Sequence, residues 1–114
     1  MSIDALQRTL VLASTSPFRK ALLARLAIPF MTAAPNVDET PVQDESPHDL
    51  VFRLAEAKAR AVANLFPESI IIGSDQIAVL DNHIIGKPGN HAHAVDQLHR
   101  LSGRSIEFLT SLCV

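Results

Sequence analysis

Thr9-Leu10-Val11-Leu12-Ala13-Ser14-Thr15-Ser16-Pro17-Phe18-Arg19-Lys20 is the stretch that decides the fold. Its first five residues are apolar without alternation and end in a hydroxyl-rich turn, as expected of a strand covered on both faces. Pro17 then stands where a first-turn proline is tolerated, and Ala21-Leu22-Leu23-Ala24-Arg25-Leu26 are strong helix formers. Strand, turn and helix in that order open an α/β architecture with a parallel first strand.

Working outward, Pro29 to Ala33 is expected as a second strand. Pro35, Pro41 and Pro47 bracket a constrained loop rich in acid, with Asp38, Glu39, Asp44 and Glu45. Ser46-Pro47-His48-Asp49 carries the cap spacing that starts a helix. Leu50, Leu54, Ala57, Ala61 and Leu65 recur at helical spacing and predict one buried face running to a stop at Pro67. Ser69-Ile70-Ile71-Ile72-Gly73-Ser74-Asp75 reads as a buried strand delivering a carboxylate at its carboxyl end, and Gln76 to Leu80 continues extended. Asp81-Asn82-His83 suits a hairpin turn into Ile84-Ile85, followed by a Gly86-Lys87-Pro88-Gly89 loop. A further helix from about Ala92 to Leu101, with Ala94, Leu98 and Leu101 inward, precedes a strand from Ser105 to Val114.

Composition bounds the function. The 114 residues are 47% hydrophobic and 19% charged, with a net charge of −2, so one globular domain is the most the chain holds. One cysteine excludes an internal disulfide framework and fits a cytoplasmic address. The apolar runs fall far short of the ~20 residues needed to cross a bilayer, and the N-terminus lacks a secretory pattern. Near-neutral charge without Trp or Tyr speaks against a nucleic-acid surface. A small ligand is the expected partner.

Three places carry chemistry. The Ser14 to Arg19 turn offers helix N-terminal amides, hydroxyls and a guanidinium to an anion, although a plain helix cap with a surface arginine fits the same residues. Asp75 follows the rule that ligands sit at the carboxyl ends of strands in open sheets, or else caps a turn. Lys58 lies roughly 60° from the centre of its helix's apolar face, close enough to extend into a cleft or to snorkel to water. Lys87 adds a second ammonium on a stiff loop. No Walker or dinucleotide glycine loop is present. His91, His93 and His99 lack the spacing of metal ligands, and Cys113 reads as core.

Taken together, Ser14-Thr15-Ser16-Pro17-Phe18-Arg19-Lys20, Val37-Asp38-Glu39-Thr40-Pro41, Glu45-Ser46-Pro47, Arg53-Leu54-Ala55 with Lys58-Ala59, Ile72-Gly73-Ser74-Asp75-Gln76, Gly86-Lys87-Pro88 and Leu101-Ser102-Gly103 resemble the Maf family of nucleotide pyrophosphatases. Phe18 before the arginine and Gln76 after the aspartate are similar to the branch acting on 7-methylguanosine triphosphate. The resemblance implies an α/β fold with a mixed sheet of the Maf and ITPase type, flanking helices and a cleft. Residues 1–114 would form a single, partial domain, incomplete at the C-terminus, because the family continues beyond the position of Val114. Ser111 stands where the family commonly has glycine.

The resemblance also implies hydrolysis of a nucleoside triphosphate to the monophosphate and diphosphate, by water attacking the α-phosphorus. On that reading Asp75 is the proton acceptor, and Glu39 supports catalysis or metal binding. Ser14, Ser16, Arg19, Lys58 and Lys87 contact phosphate, with Lys58 counted among the catalytic set. Phe18 and Gln76 set base specificity. Glu39 and Asp75 are oxygen donors suited to Mg²⁺ or Mn²⁺. The expected partner is a modified nucleoside triphosphate, with no nucleic acid and no membrane, and a homodimer is left open. A non-catalytic nucleotide-binding or regulatory protein, of the kind linked to septum formation, is the alternative, with an inactive fragment the third.

Overall fold

The computed structural model describes residues 8–86 and 89–114. Strand β1 (Leu10–Ala13) leads through helix α1 (Pro17–Ala24) to strand β2 (Met31–Ala33). Helix α2 (Pro47–Ala63) returns the chain to strand β3 (Ile70–Leu80), which turns into β4 (His83–Ile85). Helix α3 (His91–Leu101) then precedes β5 (Glu107–Cys113).

The sheet is mixed. β1 pairs in parallel with β2 and with the first residues of β3, Leu10 opposite Ile70 through Ala13 opposite Gly73. Beyond Gly73, β3 changes partners: residues 73–79 pair antiparallel with β5, and 78–80 with β4. Ala78 and Val79 pair with both, so β4 and β5 occupy opposite edges of β3. The turn into β4 uses Asp81 and Asn82 at φ of 52° and 64°. These are the two left-handed positions that a tight hairpin of this hand requires, and Asp and Asn adopt them at little cost.

Side-chain size sets how closely α2 lies on the sheet. A β-carbon at Gly73 would overlap Ala55 O and sit 2.7 Å from Ala59 N. Glycine on the strand against two alanines on the helix therefore lets the two backbones touch. Val11, Ala13, Ala59, Val62 and Ile71 form the buried cluster over this contact.

That close contact corrects the expected helix face. The buried positions of α2 are Leu50, Val51, Leu54, Ala55, Lys58, Ala59 and Val62, whereas Ala57 and Ala61 are half-buried and Leu65 is exposed. The seam thus follows the small residues that meet Gly73, and Lys58 lies within it. α2 ends at Ala63, before the expected stop at Pro67, with Asn64 as its C-cap. α3 has no buried residue, and Leu98, expected inward, is 69% exposed. Periodicity made α3 amphipathic, but among the described residues no element packs over its apolar stripe closely enough to bury it. Among the described residues no helix is long and apolar enough to cross a membrane.

Candidate active site

Asp75 sits mid-strand on β3, two residues beyond the last parallel pair with β1, where pairing to β5 has taken over. The sequence placed it emerging at a strand end; it is instead 5% exposed, because the strand runs on to Leu80. A carboxylate buried that deeply needs a partner. Lys58 supplies it: Nζ lies 2.8 Å from Asp75 Oδ1 and 2.9 Å from Glu39 Oε1. One ammonium thus bridges two carboxylates from separate elements, and their oxygens can lie no further apart than the two contacts end to end. Lys58 and Asp75 side chains are 9% and 8% exposed, while that of Glu39 is 60% exposed. The constellation therefore has a dry floor and a wet rim.

The loop carrying Glu39 is held from α2 as well. Arg53 donates from Nε to Glu45 Oε2 at 2.7 Å and from Nη2 to Glu45 Oε1 at 3.0 Å, a two-pronged clamp, and Nη2 also reaches Thr40 O at 3.2 Å. Asp38 Oδ1 accepts from Thr40 N–H at 2.9 Å, and Glu45 Oε1 from Val42 N–H at 3.2 Å. The hydrogen bond from Arg53 holds the Glu45 carboxyl below its usual range and raises Arg53 in turn. Asp38 is lowered chiefly by its hydrogen bonds from Thr40. These bonds freeze the segment on both sides of Glu39. The expectation of a merely acidic, proline-bracketed loop missed this, since no helical spacing rule links Glu45 to an arginine eight residues later.

The other expected residues divide. Ser14 and Ser16 lie in the turn between β1 and α1, immediately past Ala13, whose partner in the register is Gly73. Ser14 Oγ accepts from Ser16 N–H at 3.0 Å, and Ser16 Oγ caps α1 by accepting from Arg19 N–H at 3.2 Å. The turn is thus a helix cap, and each hydroxyl keeps its proton for an acceptor. Arg19 is half-buried in the first turn of α1, and Phe18 beside it is 85% exposed. Gln76 is exposed and, as the residue after Asp75 on an extended strand, projects from the opposite face. Lys87 lies outside the described residues. Gly86, before it in the chain, accepts at its main-chain oxygen from Gln97 Nε2 of α3 at 2.8 Å. Cys113 is half-buried against the central cluster.

Asp75 Oδ2 is buried and makes no hydrogen bond, while Oδ1 is committed to Lys58. An orphaned, inward carboxylate oxygen beside a second, wetter carboxylate suits a hard divalent cation or an ordered water. Among the described residues no group of three or more His, Cys, Asp or Glu side chains is gathered as a metal cage. The protein's share would be Asp75 and Glu39 alone, with phosphate and water completing the shell, the usual arrangement for Mg²⁺.

A mixed α/β sheet carries a lysine-bridged carboxylate pair, with a hydroxyl-rich helix N-terminus at the end of the neighbouring strand. The Maf-like protein family model matches residues 9–114, and the chain belongs to the Maf family. It is 55% identical over 111 residues to a protein of Albidiferax ferrireducens named 7-methyl-GTP pyrophosphatase, covering 97% of this chain and 56% of that one. A Colwellia psychrerythraea protein of the same name is 57% identical over 107 residues, 94% of this chain and 54% of the relative. One from Vibrio vulnificus is 55% identical over 105 residues, 92% and 54% respectively. The chain spans about half the length of these relatives.

Proposed function

We propose that this chain carries the catalytic constellation of a nucleoside triphosphate pyrophosphatase, acting in the cytoplasm on 7-methyl-GTP. The observation that carries the reading is the buried Asp75 carboxylate, with one oxygen held by Lys58 and the other without a hydrogen-bond partner. The names of the relatives, over more than nine-tenths of this chain, support the methylated purine.

In the reaction, water attacks the α-phosphorus, the bond from that phosphorus to the oxygen bridging to the β-phosphate breaks, and diphosphate leaves. Asp75 Oδ2 orients the water and takes its proton. Lys58 fixes Asp75 Oδ1 by its 2.8 Å contact and offers positive charge toward the phosphates. Ser14, Ser16 and Arg19, with the amides that open α1, receive the phosphate oxygens, whose negative charge the helix N-terminus favours. Phe18 presents an open ring that can stack on a cationic, methylated base, worth ~1 to 2 kcal/mol, with Gln76 the second specificity residue. Mg²⁺ or Mn²⁺ held by Asp75 and Glu39 would neutralise charge on the triphosphate.

Incubating the chain with Mg²⁺ and 7-methyl-GTP should release diphosphate. Asp75→Asn should lower turnover by about 10²- to 10⁴-fold with the circular dichroism spectrum unchanged. Undiminished turnover in that variant would remove Asp75 from the mechanism. A second reading, nucleotide binding without turnover, draws support from the Phe52, Phe108 and Leu112 side chains, which leave the α2–β5 side of the sheet open. Calorimetric binding of 7-methyl-GTP with no diphosphate released would select it.

A further inference from the structure

Ser111 on β5 lies directly opposite Asp75 in the β3–β5 register. Its hydroxyl is not an ordinary strand side chain. Oγ lies 2.6 Å from Val51 O and 3.3 Å from Asp75 O, and a hydroxyl has one proton, so the shorter contact takes it. The same oxygen accepts from the Asp75 main-chain N–H at 3.2 Å. The main-chain oxygen of Ser111 accepts from Ser74 Oγ at 2.7 Å, with Ser74 itself buried. One residue of β5 thus joins the backbone on which Asp75 hangs to the backbone of α2.

Val51 and Lys58 are seven residues apart, two turns along the same buried face of α2. The helix is therefore pinned to β3 twice, at Val51 through the Ser111 hydroxyl and at Lys58 through the ion pair. Both pins end on Asp75, one on its main chain and one on its carboxylate. α2 cannot slide or roll over Gly73 without breaking one of them.

We propose that Ser111 is a positioning residue for the Asp75–Lys58 pair, setting the aim of Asp75 Oδ2 and the reach of Lys58 without touching the substrate. This rests on the pyrophosphatase reading for its catalytic consequence, while the positioning itself is a property of the fold. A displacement of about 1 Å in a reacting group can cost roughly 100-fold in rate.

The test compares the wild-type chain with Ser111→Ala, which removes the hydroxyl, and Ser111→Thr, which keeps it. With 7-methyl-GTP and Mg²⁺, Ser111→Ala should lose about ten- to hundredfold in kcat with KM within about twofold, and Ser111→Thr should recover most of it. Nuclear magnetic resonance supplies the arm that needs no turnover. The Asp75 amide should exchange slowly in the wild-type chain and faster in Ser111→Ala. The Lys58 ammonium signal, protected by its two carboxylates, should weaken in Ser111→Ala and return in Ser111→Thr. Equal kcat and unchanged Lys58 and Asp75 signals in Ser111→Ala would overturn the proposal. So would an Asp75 amide in the wild-type chain that exchanges as fast as an exposed one, a result that needs no variant. A wild-type chain that turns nothing over, yet shows the Ser111-dependent signals, would count against the pyrophosphatase reading and leave the positioning role supported.

Discussion

At Lys58 two demands coincide. Its ammonium is the counter-charge that makes burial of Asp75 tolerable, and it touches the Glu39 carboxylate at the rim as well. Lys58→Met keeps the aliphatic stem but leaves the Asp75 carboxylate buried with neither oxygen paired. Breaking a buried pair from one side costs about 3 kcal/mol, at the low end of the range because the Glu39 side is wet. An unfolding free energy from urea titration lowered by that amount, together with lost turnover, is the expected outcome; a change near zero would mean that water reaches and solvates Asp75. The sequence made Lys58 a candidate by angle, roughly 60° off the apolar face. Its burial was not legible there, because the true seam is set by Ala55 and Ala59 meeting Gly73 across the sheet.

Between residue and whole, the loop from Asp38 to Glu45 behaves as one element, clamped by Arg53. Glu45 has a lower folded pKa than its unfolded value, so the clamp's contribution is complete above the ordinary glutamate range. It is lost as pH falls through the depressed folded value. Asp38, lowered by Thr40, titrates in the same sense. Acidification should therefore release this loop in a window below the ordinary carboxylate range, with the Val42 amide, which donates to Glu45, losing its exchange protection first. Arg53→Ala should show fast Val42 exchange already at neutral pH. An acid-independent Val42 amide in the wild-type chain would contradict the clamp. The proline brackets and acidic residues of this loop were readable one by one, but their grip by an arginine on α2 depends on how the loop folds back over the helix.

Across the molecule, secondary structure is well formed while coverage is uneven. The radius of gyration is 16.6 Å, against about 13 Å for a compact domain of this length, and the long axis reaches 56 Å. Phe52 is 72% exposed, Phe108 66% and Leu112 69%. A groove of about 580 Å³ runs between the start of α2 and β5, lined by Val51, Phe52, Phe108 and Leu112 among others. Contiguous apolar surface of this kind binds amphiphilic dyes. Anilinonaphthalene sulfonate fluorescence should rise with the native chain, and Phe108→Lys should lower it while leaving the circular dichroism spectrum intact. Fluorescence no higher than that of a well-covered globular protein would show that the groove is closed in solution.

Order and type of elements follow from local chemistry in this chain. Pro17 and Pro47 after capping serines, the apolar run into Ser14, the isoleucine run into Gly73 and the Asp81-Asn82 turn each name their structure within a few residues. The resemblance spread over separate segments likewise collects Glu39, Lys58 and Asp75. Only the tertiary structure decided that those three meet on a single ammonium, that Asp75 is buried mid-strand, and that Arg53 and Ser111 hold the arrangement. These contacts join residues from eight to sixty positions apart. They follow from the register of β3 with β1 and β5 and from the depth at which α2 settles over one glycine, neither of which has a local signature.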